Sequence, residues 1–336
     1  MIVSRTPFRV SLFGGGSDYP AWYLKNGGRV FGFAINKYCY ITLRPLPPFF
    51  EHKHRVVYSR VELANDINDI EHPAVRAVCT QHPDPEGRGL ELHHDGDLPA
   101  RSGLGSSSSF TVGLLNAIKA LRGEMVKKRY LAEEAIRIEQ DVIGEAVGSQ
   151  DQIWAAYGGM NVIDFNQDGS FDVRPMIIRK QRSREMMDHL LLYFTGFSRF
   201  AVKIAEKKIA NLAAKERQIV TMTEMVDEAL SIVGNENTPI TELGDLLHQS
   251  WMLKRELADA VSTPEVDEIY QAGRDAGAIG GKLLGAGGGG FILFFVEPSK
   301  RQAVKDRLDK LIRVGIDIDT VGSKIVLYEP SGLENQ

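Results

Sequence analysis

Leu98-Pro99-Ala100-Arg101-Ser102-Gly103-Leu104-Gly105-Ser106-Ser107-Ser108-Ser109 is the stretch on which the fold turns. It follows a short strand pattern, Leu90–His94, and feeds a helical one in which Leu114, Leu115, Ile118 and Leu121 share a face. Glycine lets a backbone approach a ligand closely. The first N–H groups of a helix have no partner inside it and lie at the positive end of its dipole. A Gly/Ser loop that opens a helix is therefore a cradle for an anion such as a phosphate. The serine hydroxyls add donors, and one of them is placed to reach a phosphate-bound metal ion. The regular helical pattern behind the loop argues against a flexible serine-rich linker.

The stretch is not a Walker P-loop, which needs Gly, four residues and then Gly-Lys-Ser/Thr. Gly281-Lys282 comes nearest, but Leu283 follows it and Ala276 stands where the first glycine belongs. A second glycine run, Gly285-Ala286-Gly287-Gly288-Gly289-Gly290, satisfies G-x-G-x-x-G. A dinucleotide fingerprint must open a helix; this run opens the apolar strand pattern Phe291–Val296 instead, which argues against a nicotinamide enzyme. Read structurally, it is a place of close backbone packing. A third run, Gly14-Gly15-Gly16-Ser17-Asp18, ends the strand pattern Ile2–Phe13 and by itself reads as a tight turn capped by an aspartate.

Outward from these loops, the chain has 336 residues, enough for about two domains. With 43% hydrophobic and 25% charged residues it has the composition of a soluble globular protein. No apolar run reaches the ~18 residues that cross a membrane, and Arg5 and Arg9 stand near the start without a signal-peptide apolar segment. The expectation is a cytoplasmic protein with no membrane partner. A net charge of -4 argues against nucleic acid as a partner, so any anionic ligand must be met by local groups. Cys39 and Cys79 fit no metal or redox spacing and read as buried free thiols; the eight histidines show no zinc spacing.

The strand-like segments Val30–Leu43 and Arg55–Leu63 follow the first loop, separated by Pro45-Leu46-Pro47-Pro48. A second helix is expected over Lys128–Val147, and a hairpin over Asn161–Phe165 and Phe171–Ile178. The polar, basic stretch 179–188 reads as the boundary between domains 1–180 and 181–336. The second half begins with a strand, Leu190–Thr195, and two long helices, the second opened by Thr238-Pro239. Thr263-Pro264 opens another that ends at Gly277. A strand Ala278–Leu284, the strand Phe291–Val296, a helix near Lys300–Arg313 and a strand near Ser323–Tyr328 complete it. The class is α+β.

Together and in order, the three loops resemble the motifs of the GHMP kinase superfamily, named for galactokinase, homoserine kinase, mevalonate kinase and phosphomevalonate kinase. Thr6–Asp18 resembles the first motif, Pro99–Ser109 the second and Lys282–Phe291 the third. The triple glycine of the first motif, Gly148-Ser149-Gln150-Asp151-Gln152 and Tyr193–Arg199 are similar to the branch acting on D-glycero-D-manno-heptose 7-phosphate, cousins of the kinase half of L-fucokinase. The resemblance implies a two-domain fold, an N-terminal domain like the ribosomal-protein βαβ fold and a ferredoxin-like C-terminal domain. It implies ATP and Mg²⁺ as cofactors, and phosphorylation of a sugar phosphate at its C1 hydroxyl for nucleotide-activated heptose. Arg101 departs from the second motif, which often has a small residue there.

The same resemblance assigns roles. Pro99, Ser102, Gly103, Leu104, Gly105, Ser106, Ser107 and Ser108 would bind the nucleotide; Gly15, Gly16, Ser17, Asp18, Gly287 and Gly288 would bind the acceptor. Asp151, twelve residues after Glu139, would be the base, although it also reads as a helix N-cap. Glu139 would hold Mg²⁺ together with Ser107, for which Ser106 and Ser108 are near alternatives; the lesser reading of Glu139 is part of a solvated face with Glu133, Glu134 and Arg137. Arg9 would steady the base and the developing alkoxide. The acceptor's own phosphate would meet Arg199, past a strand end at the start of a helix, with Lys203 one turn on. Rival expectations are a kinase of unphosphorylated fucose or galactose, and a ligand-binding regulator without turnover, which would need no base.

Overall fold

The structure is a computed structural model that describes residues 1–196, 201–212 and 214–330, the side chains of 201–204 and 208 excepted. Arg199 lies outside the described residues, as does the side chain of Lys203. The first sheet grows from two long strands. β1 (Ile2–Phe13) is followed by α1 (Pro20–Asn26) and the 18-residue β2 (Gly28–Pro45), antiparallel to β1. Their register shifts between Pro7 and Phe8, where a proline supplies no ladder donor and a bulge is natural. Next come β3 (His54–Val57), β4 (Val61–Ala64), α2 (Pro73–Gln81) and β5 (Leu90–Gly96). Then follow α3 (Ser106–Leu121), α4 (Lys128–Arg137), α5 (Gln150–Tyr157), β6 (Met160–Phe165) and β7 (Phe171–Pro175).

The second half contains α6 (Lys180–Asp188), β8 (Leu190–Phe194), α7 (Ala201–Asn211), α8 (Glu216–Gly234), α9 (Glu242–Arg255) and α10 (Pro264–Asp275). It ends with β9 (Ala278–Leu283), β10 (Phe291–Val296), α11 (Arg301–Arg307), β11 (Ile312–Val314) and β12 (Lys324–Tyr328). The first sheet runs β12-β1-β2-β5-β3-β4, with the β6–β7 hairpin paired to the first part of β2. The second is antiparallel, β11-β8-β10-β9. The class is α+β with the two-domain architecture expected. The strand at the end of the second half pairs with β1 rather than with its sequence neighbours, so the chain returns to the first sheet to finish it.

Several elements differ from expectation. Arg55–Leu63 is the hairpin β3–β4, turned at Ser59-Arg60, not one strand. The helix expected over Lys128–Val147 leaves α geometry at Ile138, passes through a π-helical turn and stops at the left-handed Gly144. The basic stretch 179–188 is helix α6, anchored by buried Arg182, which donates to the carbonyls of Ile232 and Thr238. Among the described residues three helices, not two, separate β8 from α10. Thr238-Pro239 forms tight turns ahead of α9 and does not open it: Glu242 N–H bonds to Pro239 O at 3.2 Å. The helix near Lys300–Arg313 ends at Arg307, and Arg313 lies in β11. Thr263 does cap α10, its hydroxyl accepting from Val266 N–H. Both cysteines are free and buried.

α3 lies against β1 and β2 as the central helix of the first domain. It is tied to α2 through an aromatic stack: His72, the N-cap of α2, lies 4.6 Å from the Phe110 ring and meets Tyr58 edge-on. The His72 Nδ1 accepts from Val75 N–H, which requires a neutral ring. Burial lowers its pKa from 6.5 to about 4. The stability this group supplies is therefore complete above about pH 6.5 and is lost as pH falls through about 4. His72→Asn retains a capping side chain without the charge. The melting-temperature gap between wild type and variant should narrow as pH falls from 7 to about 4.5; a pH-independent gap refutes the assignment.

Candidate active site

The loop that opens α3 is held by its own hydrogen bonds. Gly103 and Gly105 have φ of 85° and 75°, and Gly105 is the N-cap of α3. Ser102 Oγ donates to Pro99 O at 2.7 Å, and the Leu104 carbonyl accepts from Arg9 N–H at 3.0 Å. Leu104 itself is buried. The helical turn then separates the four serines. Ser106 Oγ accepts from Arg101 N–H, Ser107 faces solvent, Ser108 Oγ donates to Glu139 Oε2 at 2.9 Å, and Ser109 Oγ donates to Pro7 O. The hydroxyl brought to Glu139 is thus that of Ser108, not Ser107: residues 100° apart on a helix face different neighbours.

The third glycine run buttresses this loop. A Cβ on Gly285 would lie 2.4 Å from Gly103 Cα, and one on Gly290 2.2 Å from Ser102 O. Lys254 of α9 donates to the carbonyls of Leu283 and Gly285, both at 2.7 Å. Gly287 and Gly288, expected at the acceptor, are buried; Gly287 packs on Val261, and the Gly288 N–H donates to Val261 O at 3.1 Å.

The first loop is a pedestal for Asp18. Ser17 is buried and its hydroxyl donates to Gly14 O at 2.8 Å, so it ties the turn. Gly16 N–H donates to Asp18 Oδ1 at 2.9 Å. Gly15 stays half-buried with nothing closer to its missing Cβ than Ser11 Oγ at 3.9 Å. Burial raises the Asp18 pKa, and the Asp151 charge adds to the rise.

All of this converges on the first turn of α5. Gln150 Nε2 donates to Asp18 Oδ2 at 2.8 Å. Asp151 receives a fork from Arg9, Nε to Oδ1 and Nη2 to Oδ2, each 2.7 Å, while Arg9 Nη1 donates to Gly103 O at 2.6 Å. Asp151 lies inside the first turn, and Ser149 holds the N-cap position. Its side chain is 23% exposed against 6% for Arg9, so the carboxylate keeps an open side. Gln152 Nε2 donates to Glu139 Oε2 at 2.5 Å. Glu139 is buried, not on a solvated face, and burial pushes its pKa up to about 7. Buried Tyr19, next to Asp18, feels the charges of Asp18, Asp151 and Arg9, and burial raises its pKa.

The donor set around Glu139 fits a magnesium ion. Among the described residues its buried Oε1 has no hydrogen-bond partner, and the Ser108 hydroxyl supplies a second oxygen beside it. Among the described residues no cluster of three or more His, Cys, Asp or Glu side chains forms a ready-made metal cage. Such an ion here would depend on one carboxylate, one hydroxyl and the nucleotide's own phosphates, the usual habit of Mg²⁺.

Comparison with known proteins agrees with this geometry. The GHMP kinases N terminal domain matches residues 68–159, and the GHMP kinases C terminal domain matches residues 225–313. A D-glycero-alpha-D-manno-heptose 7-phosphate kinase of Campylobacter jejuni is 30% identical, over 89% of this chain and 91% of that protein. The chain belongs to the GHMP kinase family. A bifunctional fucokinase/GDP-fucose pyrophosphorylase of Arabidopsis thaliana is 26% identical over 90% of this chain but 31% of its own length. In fold, the chain is similar to a D-glycero-D-manno-heptose 1-phosphate kinase from Bacteroides thetaiotaomicron, with a TM-score of 0.77, 22% identity, and coverage of 97% and 98% of the two chains. The Lactococcus lactis galactokinase complexed with galactose matches with a TM-score of 0.71 at 19% identity, over 97% and 94%. This GHMP kinase is a sugar kinase, a phosphotransferase with an alcohol acceptor.

Gln150, Gln152 and Tyr19 were given no role from the sequence, although Gln150 and Gln152 flank Asp151. Gly148 is a further addition, since a Cβ there would lie 1.9 Å from Asp18 Oδ2. Gly148→Ala should therefore displace the Asp18 carboxylate by about 1 Å, and such shifts cost up to about 10²-fold in rate. We expect at least a tenfold loss of kcat/KM for the acceptor, with ADP affinity by calorimetry held within about twofold. Unchanged kinetics would show that Asp18 does not position the acceptor.

Proposed function

We propose that this sugar kinase transfers the γ-phosphoryl group of ATP to the anomeric C1 hydroxyl of D-glycero-D-manno-heptose 7-phosphate, giving the 1,7-bisphosphate used for nucleotide-activated heptose. The observation that carries the chemistry is the Arg9–Asp151 fork, set between the phosphate loop and Asp18 with one side of the carboxylate open. The choice of acceptor draws on the heptose 7-phosphate kinase with 30% identity along nearly the whole of both chains. A cytoplasmic location, where ATP is plentiful, goes with this reading; no described helix is long and apolar enough to cross a membrane.

Phosphoryl transfer asks a protein mainly for positioning and electrostatics. The N-terminus of α3 and the Gly103–Ser106 backbone bind phosphate oxygens. Asp151 accepts the proton of the attacking hydroxyl on its open side. Arg9 prevents that carboxylate from rotating, because its fork and the Gly103 carbonyl fix the guanidinium at both ends. Arg9 also stabilises the alkoxide as charge develops. Asp18 and Gln150 orient neighbouring sugar hydroxyls. Glu139 and Ser108 would hold magnesium, with Gln152 fixing the carboxylate's orientation. When bound, the ion would neutralise charge on the nucleotide's phosphates.

Coupled ADP release over a panel of heptose 7-phosphate, heptose 1-phosphate, L-fucose and galactose tests the acceptor. The heptose 7-phosphate should give the highest kcat/KM, and preference for an unphosphorylated sugar would overturn it. Asp151→Asn should reduce turnover by about 10²–10⁴-fold with nucleotide affinity within a few fold; near-normal turnover removes Asp151 as the base. Glu139→Gln should raise the Mg²⁺ needed for half-maximal rate, because a neutral amide is a poorer ligand for a hard cation. A superimposable Mg²⁺ titration would exclude Glu139 as a ligand.

A further inference from the structure

Arg101 is the residue in the phosphate loop that neither the motif nor the chemistry above explains. It is also the one non-glycine residue with positive φ among the described residues, at 56°. That left-handed conformation is natural for glycine and strained for arginine. The loop holds it there: Arg101 N–H donates to Ser106 Oγ at 3.0 Å, across the turn that opens α3. Strained backbone of this sort clusters where a side chain must be aimed at a ligand.

The side chain has been left unused by the fold. Arg101 is exposed, and among the described residues its guanidinium has no hydrogen-bond or ion-pair partner. Its backbone is tied to Ser106, the first residue of α3, so the side chain leaves the chain at the rim of the α3 loop.

The other arginine at the loop is already engaged within the protein. Arg9 has Nε and Nη2 on Asp151 and Nη1 on Gly103 O. Lys254 and Lys282 are buried and donate to backbone carbonyls of Leu283, Gly285 and Leu12. A polyphosphate arriving in a protein of net charge -4 needs a local cation. A forked guanidinium suits phosphate oxygens.

We propose that Arg101 is a nucleotide-phosphate clamp, a binding residue that closes on the phosphates of ATP from the rim of the α3 loop. This rests on reading the site as a nucleotide-dependent kinase. The strained backbone is what aims the side chain.

Arg101→Gly separates the two roles, because glycine takes φ of 56° without strain while removing the guanidinium. Calorimetric titration of wild type and variant with ATP, ADP and adenosine, without turnover, reads the clamp directly. Arg101→Gly should melt no lower than wild type. Its affinity for ATP and ADP should fall about ten- to a hundredfold, the usual worth of a charged hydrogen bond, while adenosine binding stays the same. Arg101→Lys should fall between, keeping the charge and losing the fork. Equal affinity of wild type and Arg101→Gly for ADP overturns the clamp and leaves the kinase reading intact. A parallel loss of adenosine affinity overturns it as well, because the loop's shape would then be the cause. A rise in KM for the sugar phosphate with unchanged ADP affinity would move Arg101 to the acceptor and also overturn it. Failure of the wild type to bind ADP would overturn both the clamp and the nucleotide-kinase reading.

Discussion

The first turn of α5 is the constraint on which this active site depends. Gln150, Asp151 and Gln152 follow one another, so their side chains leave the helix about 100° apart. One reaches Asp18 on the first loop, one meets Arg9 on β1, and one meets Glu139 on the turn after α4. Parts of the chain far apart in sequence are thereby set on a single rigid turn. The central contact is an ion pair with its cation almost fully buried. Taking such a pair out of water is costly unless the geometry is good and the remaining donors are satisfied. Here the fork is bidentate and the Gly103 carbonyl takes a further donor. The pair therefore also pins the Gly103 loop to Asp151, and the two cannot drift independently.

The glycine run that leads into β10 of the second sheet shapes the loop that opens α3. Gly285 against Gly103 and Gly290 against Ser102 are contacts between backbones with no room for a Cβ. Lys254, buried in α9, holds the carbonyls of the strand end leading into that run. The glycines of the third motif serve packing more than ligand contact, because what they exclude is their own side chain. The shape of one domain's loop is in this way set by the other domain's backbone, which is why a run matching a dinucleotide fingerprint opens a strand here.

Much of this was legible in the sequence where local chemistry decides. The helix-opening Gly/Ser loop, the Thr263-Pro264 start and the hairpin around Asn166–Ser170 are each specified by residues within a few positions of one another. What escaped reading was set at a distance. Thr238-Pro239 carries a helix-start signal, but the Thr238 carbonyl serves buried Arg182 and α9 starts later. Four identical serines cannot reveal their register until a helix turns Ser108 toward Glu139. Gly288 has a donor in sequence, but Val261 takes it in the fold. Gln150 and Gln152 are unremarkable as residues and matter only because Asp18 and Glu139 arrive beside them.

The two aspartates in the site show how environment divides one chemistry into two roles. Asp151 faces a guanidinium that answers its charge in both orientation and sign. Asp18 has neutral donors alone, the Gly16 amide and the Gln150 side chain, and burial together with the neighbouring Asp151 charge raises its pKa. Both oxygens of Asp18 accept from neutral donors, an arrangement suited to holding further neutral donors such as hydroxyls. A carboxylate held by a forked cation is fixed as an acceptor, which is what a base must be at the moment of attack. Differences of environment of this kind separate acid, base and anchor when the residue type is the same. In this molecule they arise because β1 brings Arg9 to one aspartate, while the triple-glycine turn gives the other only amides.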